Sequence, residues 1–149
     1  MAVEITRLGA GTKFPSGDLR QIAETLLRAV KQSRAELSIA LVGDREMLPL
    51  NRKYRNKRKT TDVLSFLVED QPLPGAKMLG DVVISVEQAR RQAKERGKSL
   101  KSEMVTLLIH GILHLLGYDH EKSPCQARIM FAYERKLYAH LCDRGLMKV

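Results

Sequence analysis

Cysteine is scarce in this 149-residue chain: there are only two, Cys125 and Cys142. They lack the paired spacing of a structural metal site, and they read as reduced, weakly buried side chains rather than a disulfide framework. Long apolar runs are also missing. No stretch approaches the roughly 18 consecutive apolar residues that a membrane span needs. The opening MAVEITRLGAGTKFPSG has no continuous apolar core followed by a small-residue cleavage site, so a cytoplasmic protein with no membrane association is expected. Internal repeats and low-complexity segments are absent as well. What remains, 44% hydrophobic and 29% charged residues, fits one domain large enough to bury a core without cross-links. Acidic residues are the minority among charges, 17 against 26 Lys and Arg, giving a net charge of +9. The resulting pI near 9.8 favours a polyanionic partner, although many basic proteins simply have solvated basic faces.

The chemistry is concentrated in HGILHLLGYDH, residues 110–120. His110 and His114 are four apart within an apolar run, so a helix places them on one face. Gly117 stands where that helix should stop, because a glycine there can adopt the left-handed conformation that reverses the chain. Reversal would return His120 toward the first two imidazoles. Three imidazoles with no nearby cysteine pair suit a zinc ion that keeps a fourth position for water. Imidazoles also suit nickel, copper and iron. The same histidine and glycine spacing occurs in the extended metzincin signature HExxHxxGxxH, but Gly111 occupies the place of the glutamate base. A peptidase of that mechanism is thereby disfavoured while the ligand geometry survives.

The rest of the chain supplies a scaffold. Residues 3–8 alternate as a half-buried strand. Ser16 is the expected cap of a helix in which Leu19, Ile22, Ala23, Leu26, Leu27 and Val30 recur at helical spacing. Residues 36–42 read as a second strand. A helix follows near Asp44, with its start drawn toward Met47 or Leu48 by Pro49. RKYRNKRK, residues 52–59, then places six basic residues in eight at a helix end and turn, where they can reach phosphates or merely solubilise a turn. Strands at 62–68 and 79–86 flank a Pro/Gly-rich loop. Next come a polar helix at 87–96 closed by Gly97, a central helix capped by Ser99, and a last helix opened by Ser123-Pro124 with Gln126 and running to about residue 141. The central helix is apolar on most sides apart from a stripe of Glu103, Thr106, His110 and His114, which implies burial. Glu103 is read as pairing with a cation, or else supporting a ligand from behind. Met130 is read as core packing. Asp119 either forms a turn or orients an imidazole. The expected fold is α+β: about four strands in a mixed sheet packed with helices, the buried central helix carrying two of three ligand histidines.

HGILHLLGYDH closely resembles the HGxLHLxGYDH signature of the YbeY family of metal-dependent endoribonucleases and rRNA maturation factors. LNRKYRNKRKTTDVLSF at 50–66 and LGDVVIS at 79–85 are similar to two further family stretches. Thr60 and Leu67 replace prolines common in the family's PTDVLSFP-like segment, which bears on loop conformation more than on the reaction. The resemblance implies zinc on His110, His114 and His120, with His114 and Arg55 in the catalytic centre. It further implies an RNA-binding patch of Arg52, Lys53, Arg55, Lys57, Arg58 and Lys59. The implied substrate is single-stranded precursor rRNA of the small ribosomal subunit, and the implied setting is rRNA maturation and ribosome quality control. Three neutral imidazoles leave the ion its full charge, which lowers the pKa of bound water from about 15.7 to roughly 7 and makes a separate strong base dispensable. Whether water or the substrate's 2′-OH attacks phosphorus stays open. So do two other classes: a zinc hydrolase of another substrate, peptidase-like, and a non-catalytic RNA-binding factor of ribosome assembly.

Overall fold

Val3–Leu8 (β1), Ala35–Val42 (β2), Val63–Phe66 (β3) and Lys77–Ser85 (β4) form one sheet in the order β1-β2-β4-β3 in the computed structural model. The structure describes residues 3–55, 63–66 and 77–147, with side chains undescribed at 16, 51–55, 63–66 and 77–78. β1, β2 and β4 run parallel, and β3 is antiparallel to β4. Parallel neighbours require helical crossovers. Ser16–Ala29 (α1) joins β1 to β2, and Asp44–Arg55 (α2) follows β2. After β4 come Val86–Glu95 (α3), Leu100–Leu115 (α4) and Pro124–Asp143 (α5).

The central strands bury one face in the main core, and toward their C-terminal ends both faces are apolar and covered. Leu37, Ile39, Leu41, Val82 and Ile84 enter the main core with α1, α4 and α5, while Val42 and Val83 pack with Met47 of α2 in a smaller cluster. At the sheet edge the alternation expected of β1 is only partly expressed in burial. Val3 is fully buried, whereas Leu8, on the opposite face with Glu4 and Thr6, is 56% exposed.

Several boundaries differ from the sequence reading for local reasons. Pro15, not Ser16, caps α1: its φ of −62° sets the entry angle, and its carbonyl accepts from the Leu19 N–H. α2 begins at Asp44 despite Pro49 in its second turn, since the Met47 N–H donates to the Gly43 carbonyl and starts the ladder before the proline interrupts it. β4 starts at Lys77 and ends at Ser85, whose hydroxyl accepts from the Gln88 N–H and so opens α3 one residue early. Ser99 and Ser123 cap α4 and α5 as expected.

α4 is the axis of the molecule. Met104, Val105, Leu108, Ile109, Ile112 and Leu113 are at most 1% exposed, and burial of each such side chain contributes about 1.5–3 kcal/mol. Held on most sides by packing, the helix gives its C-terminal histidines a rigid base. Cys125 and Cys142 are both free thiols on α5. None of the helices, among the described residues, is long and apolar enough to cross a membrane.

Candidate metal centre

Helical spacing puts His110 and His114 one turn apart near the end of α4, with ring centroids 6.3 Å apart and planes 19° from parallel. The helix stops at the expected glycine. Gly117 has φ +101°, its N–H donates to the His114 carbonyl, and the Tyr118 N–H reaches back to the Leu113 carbonyl. That paired closure is the Schellman arrangement, and it reverses the chain. His120 is thereby delivered to 5.0 Å from His110, centroid to centroid, at an interplanar angle of 61°. Asp119 serves the turn: its Oδ1 accepts from the Glu121 N–H at 2.9 Å.

One interaction organises the site that the sequence reading did not assign. Glu134 on α5 places Oε2 2.9 Å from His110 Nδ1. With the carboxylate ionised, Nδ1–H donates, and the ring's lone pair then lies at Nε2. A carboxylate behind an imidazole fixes both tautomer and ring orientation, which is how metal-binding histidines are commonly supported. The signal was present in the periodicity of α5: Met130, Leu137 and Leu141 are its buried residues, and Glu134 falls on their stripe. Met130 itself is fully buried in the main core.

His120 gives a second indication. Its Nδ1 is buried without a hydrogen-bond partner, a costly state for an imidazole nitrogen. Its Nε2 is 3.9 Å from Glu121 Oε1, beyond hydrogen-bond reach. Three imidazoles on one tetrahedral ion, with Zn–N about 2.0–2.1 Å, have centroids roughly 5 Å apart. The His110 and His120 pair meets that spacing, whereas His110 and His114 stand wider and nearly parallel. Accordingly, no three His, Cys, Asp or Glu side chains among the described residues form a ready-made cage. The chemistry of the donor set suits a metal, and His114, the more distant of the two rings from His110, is exposed to solvent.

Glu103 is 1% exposed and pairs with Arg96 Nη1 at 2.8 Å, so it is the structural, cation-paired carboxylate rather than part of the histidine cluster. Of the basic patch, Arg52, Lys53 and Arg55 lie on the last turns of α2, with side chains outside the described atoms. Lys57, Arg58 and Lys59 fall outside the described residues.

Residues 9–142 match the family model described as Endoribonuclease YbeY. A protein named Endoribonuclease YbeY from Geobacter sulfurreducens is 39% identical over 150 residues, covering 99% of this chain and 100% of its own. One from Persephonella marina is 41% identical, with 83% of this chain and 81% of the relative covered. The relative of that name from Myxococcus xanthus is 50% identical over 84% of this chain, which spans only 42% of that longer protein. A solution structure from Thermotoga maritima superposes with a TM-score of 0.65 at 27% identity, covering 95% of this chain and 91% of that one.

Proposed function

The chain belongs to the YbeY endoribonuclease family, and on that premise we propose that it is a metal-dependent endoribonuclease. Its substrate is single-stranded precursor rRNA of the small ribosomal subunit, cut in the cytoplasm during ribosome maturation and quality control. One zinc ion is held by His110, His114 and His120. The observation that carries this reading is the imidazole pair 5.0 Å apart at the end of a buried helix, with the Nδ1 of His110 fixed by Glu134.

Each group has a defined task. Glu134 holds a proton on His110 Nδ1 and so keeps Nε2 available as a donor. The Gly117 turn positions His120. Zinc bound there supplies Lewis acidity toward water and a phosphoryl oxygen. Arg55 offers a cation to the negative charge that develops on the scissile phosphate, the kind of stabilisation that usually dominates such reactions. Arg52, Lys53, Lys57, Arg58 and Lys59 hold the flanking phosphates. A single strand suits this centre because its backbone can be drawn into a cleft that a duplex does not fit.

The test combines elemental analysis of the purified protein with cleavage of a defined single-stranded RNA before and after chelation. Zinc near one equivalent, cleavage lost on chelation and regained with metal, and loss of both metal and cleavage in His114→Ala are expected. Arg55→Glu should keep the metal and cleave poorly; unchanged turnover in that variant removes Arg55 from the mechanism. Products with 5′-phosphate and 3′-OH ends assign the attack to water. Peptide cleavage without RNA cleavage, or RNA binding by a folded metal-free protein with no cleavage under any metal, overturns the proposal.

A further inference from the structure

Beside the histidines, between α4, α5 and the segment after α5, lies an open cavity of about 970 Å³. Buried Ile109 and Met147 give it an apolar floor, and Lys98, Lys101 and Arg135 also line it. Glu134 is the one acidic residue in its lining among the described residues, and that carboxylate is engaged with His110. Tyr138 and Ser102 join hydroxyls across the two helices at 2.9 Å and hold the floor in place.

Two residues tie this cavity to the histidine cluster. Glu134 lines the cavity and contacts His110. Phe131 also lines it, and its ring centroid is 6.2 Å from that of His120. Phe131 is 44% exposed, one of three large apolar side chains left at the surface among the described residues. An aromatic face and an apolar floor, lined also by cations, have the chemistry of a single-stranded nucleic-acid track: bases stack or rest below while phosphates meet Lys and Arg. An apolar peptide would use the floor but leave three cations unmatched.

We propose that the α4–α5 groove is a substrate subsite that receives the nucleotides on one side of the scissile phosphate, with Phe131 as a stacking platform and Lys98, Lys101 and Arg135 as phosphate contacts. The proposal rests on the endoribonuclease reading and adds to it. It places substrate recognition on α4 and α5, on the far side of the sequence from the basic run at 52–59. A substrate that enters along the groove passes Phe131 before it reaches the imidazoles, so shortening RNA from one of its two ends, the one that occupies the groove, should weaken binding more than shortening it from the other.

The test measures binding of a fluorescent single-stranded oligoribonucleotide to the full chain under chelation, so that cleavage plays no part. Phe131→Ala should weaken binding by about 5- to 160-fold, the loss of one base–aromatic stack, and Phe131→Tyr should restore it. Lys98→Gln combined with Lys101→Gln should reduce the slope of log affinity against log salt by about 1.4, or about 0.7 for each single-strand phosphate contact. Lys98 is exposed and Lys101 half-buried, neither is in the core, and unaltered circular dichroism checks that the variants fold. Unchanged affinity and salt slope in both variants, with the wild type still cutting RNA, overturn the subsite and leave the endoribonuclease reading intact. If the wild type neither binds nor cuts single-stranded RNA, the reading and the subsite fall together. If the variants keep RNA affinity but lose binding to small ribosomal subunits, the groove takes a protein and the subsite is refuted.

Discussion

Replacing Glu134 with Gln keeps the shape of the side chain and removes its charge, which isolates what the carboxylate does for His110. The contact is 2.9 Å long, and the two side chains are 25% and 17% exposed, so the pair is partly screened. Losing a carboxylate behind a ligating histidine typically weakens metal affinity by about 10- to 100-fold. Partial exposure puts Glu134→Gln toward the lower end, about tenfold, or about 1.4 kcal/mol. At a fixed saturating zinc concentration the same amount disappears from the metal-linked stabilisation. For a domain of this size the zinc-loaded Tm should fall by about 3–6 °C relative to the wild type. The metal-free proteins should differ by less than about 1 kcal/mol, because a glutamine oxygen can still accept from His110 Nδ1–H and a partly exposed contact contributes little on its own. Zinc competition against a chromophoric chelator, with thermal melts of metal-free and loaded samples, measures all three quantities. A variant that binds zinc within about twofold of the wild type and gains the same Tm on loading would show that Glu134 does not position His110 for a metal.

Three further outcomes are expected. Gly117→Ala meets no atom within 4 Å but must hold φ +101°, so it should cost about 1–2 kcal/mol in urea unfolding and weaken zinc binding as His120 shifts; equal stability would discount the turn. Gly43→Ala places a Cβ 2.6 Å from the Ala10 carbonyl oxygen, a backbone atom that cannot swing aside, and should destabilise by about 1–3 kcal/mol with metal affinity unaffected. The Arg91 guanidinium, with help from the Ser85 hydroxyl, holds the Asp44 carboxyl below its usual 3.8. A depressed folded pKa adds stability that is fully present above the unfolded value and is lost as pH falls through the folded one. Asp44→Asn should therefore cost less than about 1 kcal/mol near neutrality, and the two proteins should converge in acid; a difference that persists unchanged to low pH would assign the effect to something other than this pair.

Residues with a local rule behind them were legible in the sequence. The burial of α4 follows from apolar residues on most of its faces, and the caps Ser99 and Ser123 from side chains that compete well for the first free N–H groups. The reversal after His114 follows from one glycine. The α2 boundary was less legible, because the cost of Pro49 is local whereas the helix is held by Met47 in a cluster with Val42 and Val83. Leu8, by contrast, was legible: two-residue alternation puts it on the face of Glu4 and Thr6, opposite Val3 and Ile5, and it meets water.

Sequence alone determined that His110, His114 and His120 come from one helix and its turn, because spacing within a helix and a left-handed glycine act over a few residues. Tertiary structure alone decided that Glu134, 24 positions beyond His110, stands behind its ring, and that Phe131 lies beside His120 at the mouth of a cationic groove. The reason is physical. Those contacts depend on the angle and register at which α5 packs against α4, and these are set by how Met130, Leu137 and Leu141 fill the shared core rather than by any pattern within either helix.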